Sequence, residues 1–211
     1  MATLSNGLLV VMSGAASFVA FYSTLKLGKN ERIGITYLAF SAALTISFIG
    51  NALSLLIDYT PLSDSVILAA YVLAIIAGFY LTWDFRDLLS PKRIVLIVFS
   101  GVLILVVSLL AVVPLPSGMN SLEVSLALMF PVLNSIMLSV ALGLAVLFWK
   151  GDFAKAWMSF AIGLLLFGVA GAGYAAGMAH GGMLGIWVDL FWLWGYLAIV
   201  TGFRETRSLQ A

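Results

Sequence analysis

Asp189, Trp192 and Tyr196 stand at an i, i+3, i+7 spacing within the apolar stretch Asp189-Leu-Phe-Trp-Leu-Trp-Gly-Tyr196-Leu-Ala-Ile-Val-Thr-Gly202-Phe203, so on a helix they share one face. A carboxyl, an indole N–H and a phenol on one face can line a cleft that binds a cation or hydrogen-bonds a small ligand. Asp189 precedes Arg204 by fifteen residues, roughly 22 Å of helix rise. Measured from the arginine, that depth is still inside a hydrocarbon layer ~30 Å thick. An aspartate there costs about 2.5 to 3.5 kcal/mol on insertion scales and is expected to face a cavity or a partner. Asp189 and Tyr196 are two turns apart, ~10 Å, too far for a direct hydrogen bond, so they would line a common cleft instead.

An earlier stretch nearly repeats this pattern. In Asp64-Ser-Val-Ile-Leu-Ala-Ala-Tyr71-Val-Leu-Ala-Ile-Ile-Ala-Gly78-Phe79, Asp to Tyr is again seven residues, and a Leu-Ala-Ile run again leads to Gly-Phe. Weaker matches follow in the same order: Tyr37-Leu-Ala-Phe40 with Trp157-Met-Ser-Phe160, and Gly50 near Gly171. Asp64 reads either as a ligand group or as a first-turn acid favoured by the helix dipole. Asn51, Asn134 close to Pro131, and Tyr174 are the other polar groups deep in apolar segments, expected as interhelical hydrogen-bond partners or ligand contacts. Pro131 is expected to kink its helix near Asn134 and free a carbonyl.

Catalysis is not expected, because the sequence shows no nucleophile–base pair, phosphate loop or metal-ligand spacing. There is one histidine, His180, and no cysteine. A two-histidine haem, a thiolate metal site and a disulfide are therefore excluded, and no cofactor or metal is expected.

The elements that must position these residues are membrane helices. Of 211 residues 63% are hydrophobic and 9% charged, too little polar surface for a chain facing water on most sides. A crossing helix takes about 20 apolar residues, and seven segments qualify: 7–27, 33–57, 64–84, 93–113, 122–149, 154–179 and 184–203. Gly28-Lys-Asn30, Pro61, Ser90-Pro91, Pro114-Leu-Pro116-Ser-Gly118 and Gly181-Gly182 punctuate them, with Ser90-Pro91 expected as an N-cap and first helical residue. The expected fold is all-α, a polytopic bundle of seven spans. The first three-helix repeat would cover 1–90, a linker helix 91–117 and the second repeat 118–211. The small residues of span six, Gly168, Ala170, Gly171, Gly173, Gly177 and Gly181, predict close packing, inside the bundle in preference to a dimer contact.

All ten basic residues fall in alternate connections or the C-terminal tail: Lys26, Lys29 and Arg32; Arg86, Lys92 and Arg93; Lys150 and Lys155; Arg204 and Arg207. The positive-inside rule then puts the N-terminus outside and the C-terminus in the cytoplasm of a cell membrane protein. The outer side carries only the acids Asp58, Asp64, Glu123 and Asp189. The inner basic residues are expected to meet anionic lipid headgroups rather than nucleic acid. Trp83, Trp149, Trp157 and Trp187 are expected in interfacial belts, and Trp192 and Trp194 in a pocket wall.

The seven-span plan with a parallel repeat around a linker helix resembles the SWEET sugar transporters and, more distantly, the microbial rhodopsins. No lysine stands between Asp189 and Arg204, so the rhodopsin likeness does not extend to a retinal Schiff base. Spans one, two, three, six and seven lack proline, unlike the SWEET pattern. The phrase Asp189-Leu-Phe-Trp-Leu-Trp-Gly195-Tyr196-Leu is similar to the last helix of seven-helix sensory domains in prokaryotic signalling proteins. With the outward acidic and aromatic cleft read from the residues, the leading expectation is a receptor-like or partner-binding protein without enzymatic activity, with a cytoplasmic or membrane protein partner; the alternative is a transporter. The transporter resemblance implies a small-solute or cation carrier with two-fold related halves. A homo-oligomer is compatible with both. The expected ligand residues are Asp189, Tyr196, Trp192, Asp64, Tyr71, Asn134 and Asn51.

Overall fold

The computed structural model describes residues 2–26, 31–57, 60–113, 115, 118–151, 153 and 154–180, and 185–208. Seven α-helices follow in order: α1 (Ala2–Lys26), α2 (Glu31–Leu56), α3 (Thr60–Asp84), α4 (Pro91–Val112), α5 (Ser121–Leu147), α6 (Ala154–His180) and α7 (Gly185–Ser208), with a 3-10 turn at Arg86–Leu88 after α3. Six of them, α1 to α6, are long and apolar enough to cross a membrane. Six such helices in one bundle mark a multi-pass membrane protein. The seventh, α7, spans 24 residues but is less apolar and carries Asp189, Arg204 and Glu205.

Local chemistry explains the helix ends. Ser90 holds an extended backbone before Pro91 at the first turn, although its side chain makes no capping bond. Asn120 and Glu123 form a full capping box at the start of α5: the Glu123 N–H donates to Asn120 Oδ1 and the Asn120 N–H to Glu123 Oε2, both at 2.9 Å. Glu123 is thereby committed to its own helix end. Gly118 and Gly151 turn the chain at positive φ, 108° and 110°, a conformation that strains any residue with a Cβ. Pro131 is buried inside α5, which continues unbroken past it. Pro114, Pro116, Gly181 and Gly182 lie outside the described residues, as do Asp58 and the side chains of His180, Lys29, Arg32 and Arg207.

Helices apolar on every side do not declare a buried face by amphipathicity. Small residues and aromatics declare it here. Packing runs α1–α2–α3–α5–α6–α7 and back to α1, while α4 lies outside this ring against α5 and α6. The outward side of α4 exposes Val95, Leu96, Phe99, Val102 and Leu110, as expected of a helix facing lipid. The α6 glycines are spread over two contacts. A Cβ at Gly168 would lie 2.6 Å from Leu138 of α5, and one at Gly173 would lie 2.9 Å from Val188 of α7. Gly163 and Gly195 face each other across the α6–α7 crossing, where a Cβ on Gly195 would lie 2.6 Å from the Phe167 ring. The backbones approach closely because those side chains are missing.

One end of the bundle is closed by aromatic packing. Tyr37 meets Trp157, Phe160 and Phe203 at centroid distances of 5.6, 5.7 and 5.2 Å, and Phe40 stacks on Phe160 at 5.3 Å. The Tyr37 hydroxyl is hydrogen-bonded to Thr206 at 2.6 Å. Trp157 is therefore a core residue, 3% exposed, rather than a belt residue, whereas Trp83, Trp149 and Trp187 are exposed. Trp194 also corrects the sequence reading: it is 61% exposed, because two residues from Trp192 is the opposite side of a helix.

Candidate functional site

Half-way along the helices, α2, α3, α5, α6 and α7 leave a cavity of about 30 Å³, enough to admit water. Its polar wall is Ser47 and Asn51 from α2, Tyr71 from α3, and Trp192 and Tyr196 from α7. Its apolar wall includes Phe40, Leu44, Ile67, Met137, Phe167 and Ile199. No charged side chain lines it. Tyr71 and Tyr196 each stand eleven residues past the first residue of their helix, α3 and α7.

The two tyrosines are held from different directions. Tyr71 donates its hydroxyl hydrogen to the Phe167 carbonyl of α6 at 3.2 Å and accepts the Trp192 indole N–H at 3.0 Å. The Tyr196 hydroxyl accepts Asn51 Nδ2–H at 3.0 Å and shares a short hydrogen bond with Ser47, both on α2. The Tyr196 ring also stands edge-on to Phe167 at 4.9 Å. Each phenol thus fixes a helix that is not its sequence neighbour, and buried bonds of this kind set ring orientation as well as helix register.

Of the residues the sequence singled out, Tyr196, Trp192, Tyr71 and Asn51 meet at this cavity. Asp64, Asp189 and Asn134 do not line it. Asp64 is only 6% exposed, so it is not a solvated first-turn acid. Both of its oxygens accept the Tyr174 hydroxyl of α6, at 3.0 and 2.9 Å. Tyr174 in turn packs on Trp192 at 5.6 Å and on Phe130 at 5.3 Å, linking this carboxyl to the cavity wall by side-chain contact. Asp189 is half-buried in the second turn of α7.

Asn134 differs from Asn51 in its surroundings. It is fully buried on α5, and neither of its amide atoms has a hydrogen-bond partner among the described residues. The residue facing it is Gly171 of α6, where an added Cβ would lie 2.8 Å from Nδ2, and glycine brings no side chain to bond. Asn51 and Tyr174, in contrast, are interhelical partners. Ser47 and Phe167 escaped the sequence reading. Ser47 and Asn51 are four residues apart on α2, a polar pair on one helical face that would have pointed to the site.

No protein-family model, no curated protein and no solved structure matches this chain.

Proposed function

We propose that the protein is a carrier for a small solute, with the cavity between Tyr71 and Tyr196 as its binding site and two related three-helix halves, α1–α3 and α5–α7, as its moving parts. In this reading α7 is the seventh span, α4 is the linker, the N-terminus is outside and the C-terminus is cytoplasmic. The supporting observation is a crossed pair of contacts. Tyr71 bonds to Phe167 and Tyr196 to Ser47; aligning Asp64-to-Tyr71 with Asp189-to-Tyr196, and Tyr37-to-Phe40 with Trp157-to-Phe160, also places Ser47 opposite Phe167. A two-fold axis makes such exchanges, residue i touching j′ while i′ touches j. Phe40 against Phe160 and Tyr37 against Trp157 are the self-contacts expected on the axis itself. Packing agrees, since α1–α2, α2–α3 and α3–α5 recur as α5–α6, α6–α7 and α7–α1. Carriers built from repeats hold their substrate near the bilayer midplane where the repeats meet.

A receptor-like reading has one observation in its favour: the described basic residues Lys26, Arg86, Lys92, Arg93, Lys150, Lys155 and Arg204 are all exposed, giving a rim that a cytoplasmic partner or anionic lipid could contact. Flux separates the two. Proteoliposomes holding the purified protein should reswell faster than protein-free vesicles after a glycerol osmotic jump, and Ala74→Phe, which fills the cavity, should abolish the difference. Identical reswelling with and without protein contradicts the carrier.

A further inference from the structure

The ring of helices is closed differently at its two ends. In the packing order α1–α2–α3–α5–α6–α7, α3 and α6 are not neighbours; they face each other across the ring and meet through long side chains. Near the start of α3, Asp64 reaches Tyr174 of α6, and a layer deeper Tyr71 reaches the Phe167 carbonyl. Asp64, Ile67 and Tyr71 share one face of α3, and Ile67 and Tyr71 line the cavity. The Asp64–Tyr174 contact is thus the next layer beyond the cavity on that side.

We infer that Asp64 and Tyr174 form the gate at this end of the cavity, and that the Asp64 carboxylate screens what enters by charge, admitting cations and neutral solutes ahead of anions. This rests on the reading of the cavity as a binding site and assigns its entrance and the charge class the entrance favours.

The two ends differ in what parting them exposes. At the other end Tyr37 sits among Trp157, Phe160 and Phe203, and Phe40 stacks on Phe160. Opening there brings apolar ring faces into water. Withdrawing α3 from α6 at the Asp64 end exposes a carboxyl and a phenol hydroxyl instead, and water replaces the bond they lose. Tyr174 keeps its ring contacts in that movement, because Phe130 and Trp192 belong to α5 and α7, the helices packed on α6. The Asp64 end is therefore the easier one to open.

Once water reaches it, Asp64 stands as a negative charge at the mouth of a cavity with apolar walls, where a single charge acts strongly on what approaches. All ten Lys and Arg belong to the connections and the tail at the opposite helix ends. The Asp64 end carries Asp58, Glu123 and Asp189 as further acids and His180 as its one histidine, so its field has one sign.

Ile67→Cys places a single thiol in this cysteine-free chain, on the cavity wall one turn from Asp64. The protein is held in lipid nanodiscs, which leave both faces open to reagents. A cationic trimethylammonioethyl and an anionic sulfonatoethyl methanethiosulfonate are compared at about pH 8, where histidine is neutral, each rate normalised to reaction with a free small thiol. The cationic reagent should react at least about fivefold faster at low salt. Adding Asp64→Asn, which keeps an acceptor for Tyr174, should bring the two rates within about twofold of each other. Glu123→Gln, at the exposed cap, should leave the preference in place. Tyr174→Phe, which removes the bond across the gate, should speed both reagents by about threefold or more. Equal rates in the parent, a preference that survives Asp64→Asn or is lost with Glu123→Gln, or no acceleration by Tyr174→Phe overturns the inference. If Tyr174→Phe fails to fold, the charge ranking and its response to Asp64→Asn still decide. Glycerol flux reports separately on the carrier: labelling ranked as expected without flux sinks the carrier alone, and flux without the ranking sinks the gate alone.

Discussion

The α3 and α7 sides of the cavity present the same residue in two different settings. Tyr71 on α3 is tied to a backbone carbonyl and an indole, Tyr196 on α7 to two α2 side chains. On the alignment that pairs Tyr71 with Tyr196, the chemistry differs: where α2 supplies Ser47 and Asn51, the aligned part of α6 supplies Phe167 and Gly171. One side of the cavity is therefore polar and adjustable and the other apolar and fixed through backbone. A bundle with related halves can keep its packing geometry and still offer a solute two unlike walls, because helix approach depends on small residues while recognition depends on a few side chains.

The strongest break should come at the helix crossings that frame the two tyrosines. Gly195 aligns with Ala70, which already carries a Cβ and is buried. Gly195→Ala drives a methyl into the Phe167 ring and should destabilise by about 1 to 3 kcal/mol, measured by unfolding in detergent, with Gly195→Leu worse. Ala70→Gly adds only flexibility and should lose about 1 kcal/mol or less.

Hydrogen bonds come next. Tyr71→Phe strands the Trp192 N–H, and Tyr196→Phe strands an Asn51 N–H that has Ser47 nearby. A double-mutant cycle of Tyr71→Phe with Trp192→Phe should give a coupling of about 0.6 to 1.7 kcal/mol; additivity would mean that the indole–phenol bond does not hold the α3 wall. The same logic sharpens the outer layer. Asp64→Asn keeps an acceptor for Tyr174 and should leave stability nearly unchanged, whereas Asp64→Leu buries the Tyr174 hydroxyl unsatisfied and should lose about 1 kcal/mol. Equal losses would show that the Asp64 charge matters rather than its hydrogen bond.

The smallest effect is optical. Trp157→Phe should remove a blue-shifted component of the fluorescence and Trp194→Phe a component sensitive to lipid quenchers, since the first is buried and the second exposed. Loss of the same component in both would contradict their opposite placement.

Much of this was legible from spacing. The helices follow from uninterrupted apolar runs, and the observed ends lie close to Pro91 and Gly118 because those residues act locally. The i, i+3, i+7 rule brought Trp192 and Tyr196 to one wall, and the matching Asp-to-Tyr spacing pointed to Tyr71. It did not separate Trp192 from Trp194 in function, since both are equally apolar letters two positions apart. Nor did it find the Asp64–Tyr174 or Tyr196–Ser47 partners, because contacts between distant helices leave no periodic trace. Asn134 has no hydrogen-bond partner among the described residues, and spacing alone did not show that Gly171 would face it.

The central claim is that the cavity between Tyr71 and Tyr196 is reached in turn from both sides of the membrane. The chain contains no cysteine, so Ser47→Cys places a single thiol on the cavity wall with little change in size. A small membrane-impermeant thiol reagent, applied to one face or the other of oriented vesicles, should modify it from both, and Ala74→Phe, which fills the cavity, should slow both reactions. Modification from one face only would contradict the carrier and leave a one-sided binding cleft.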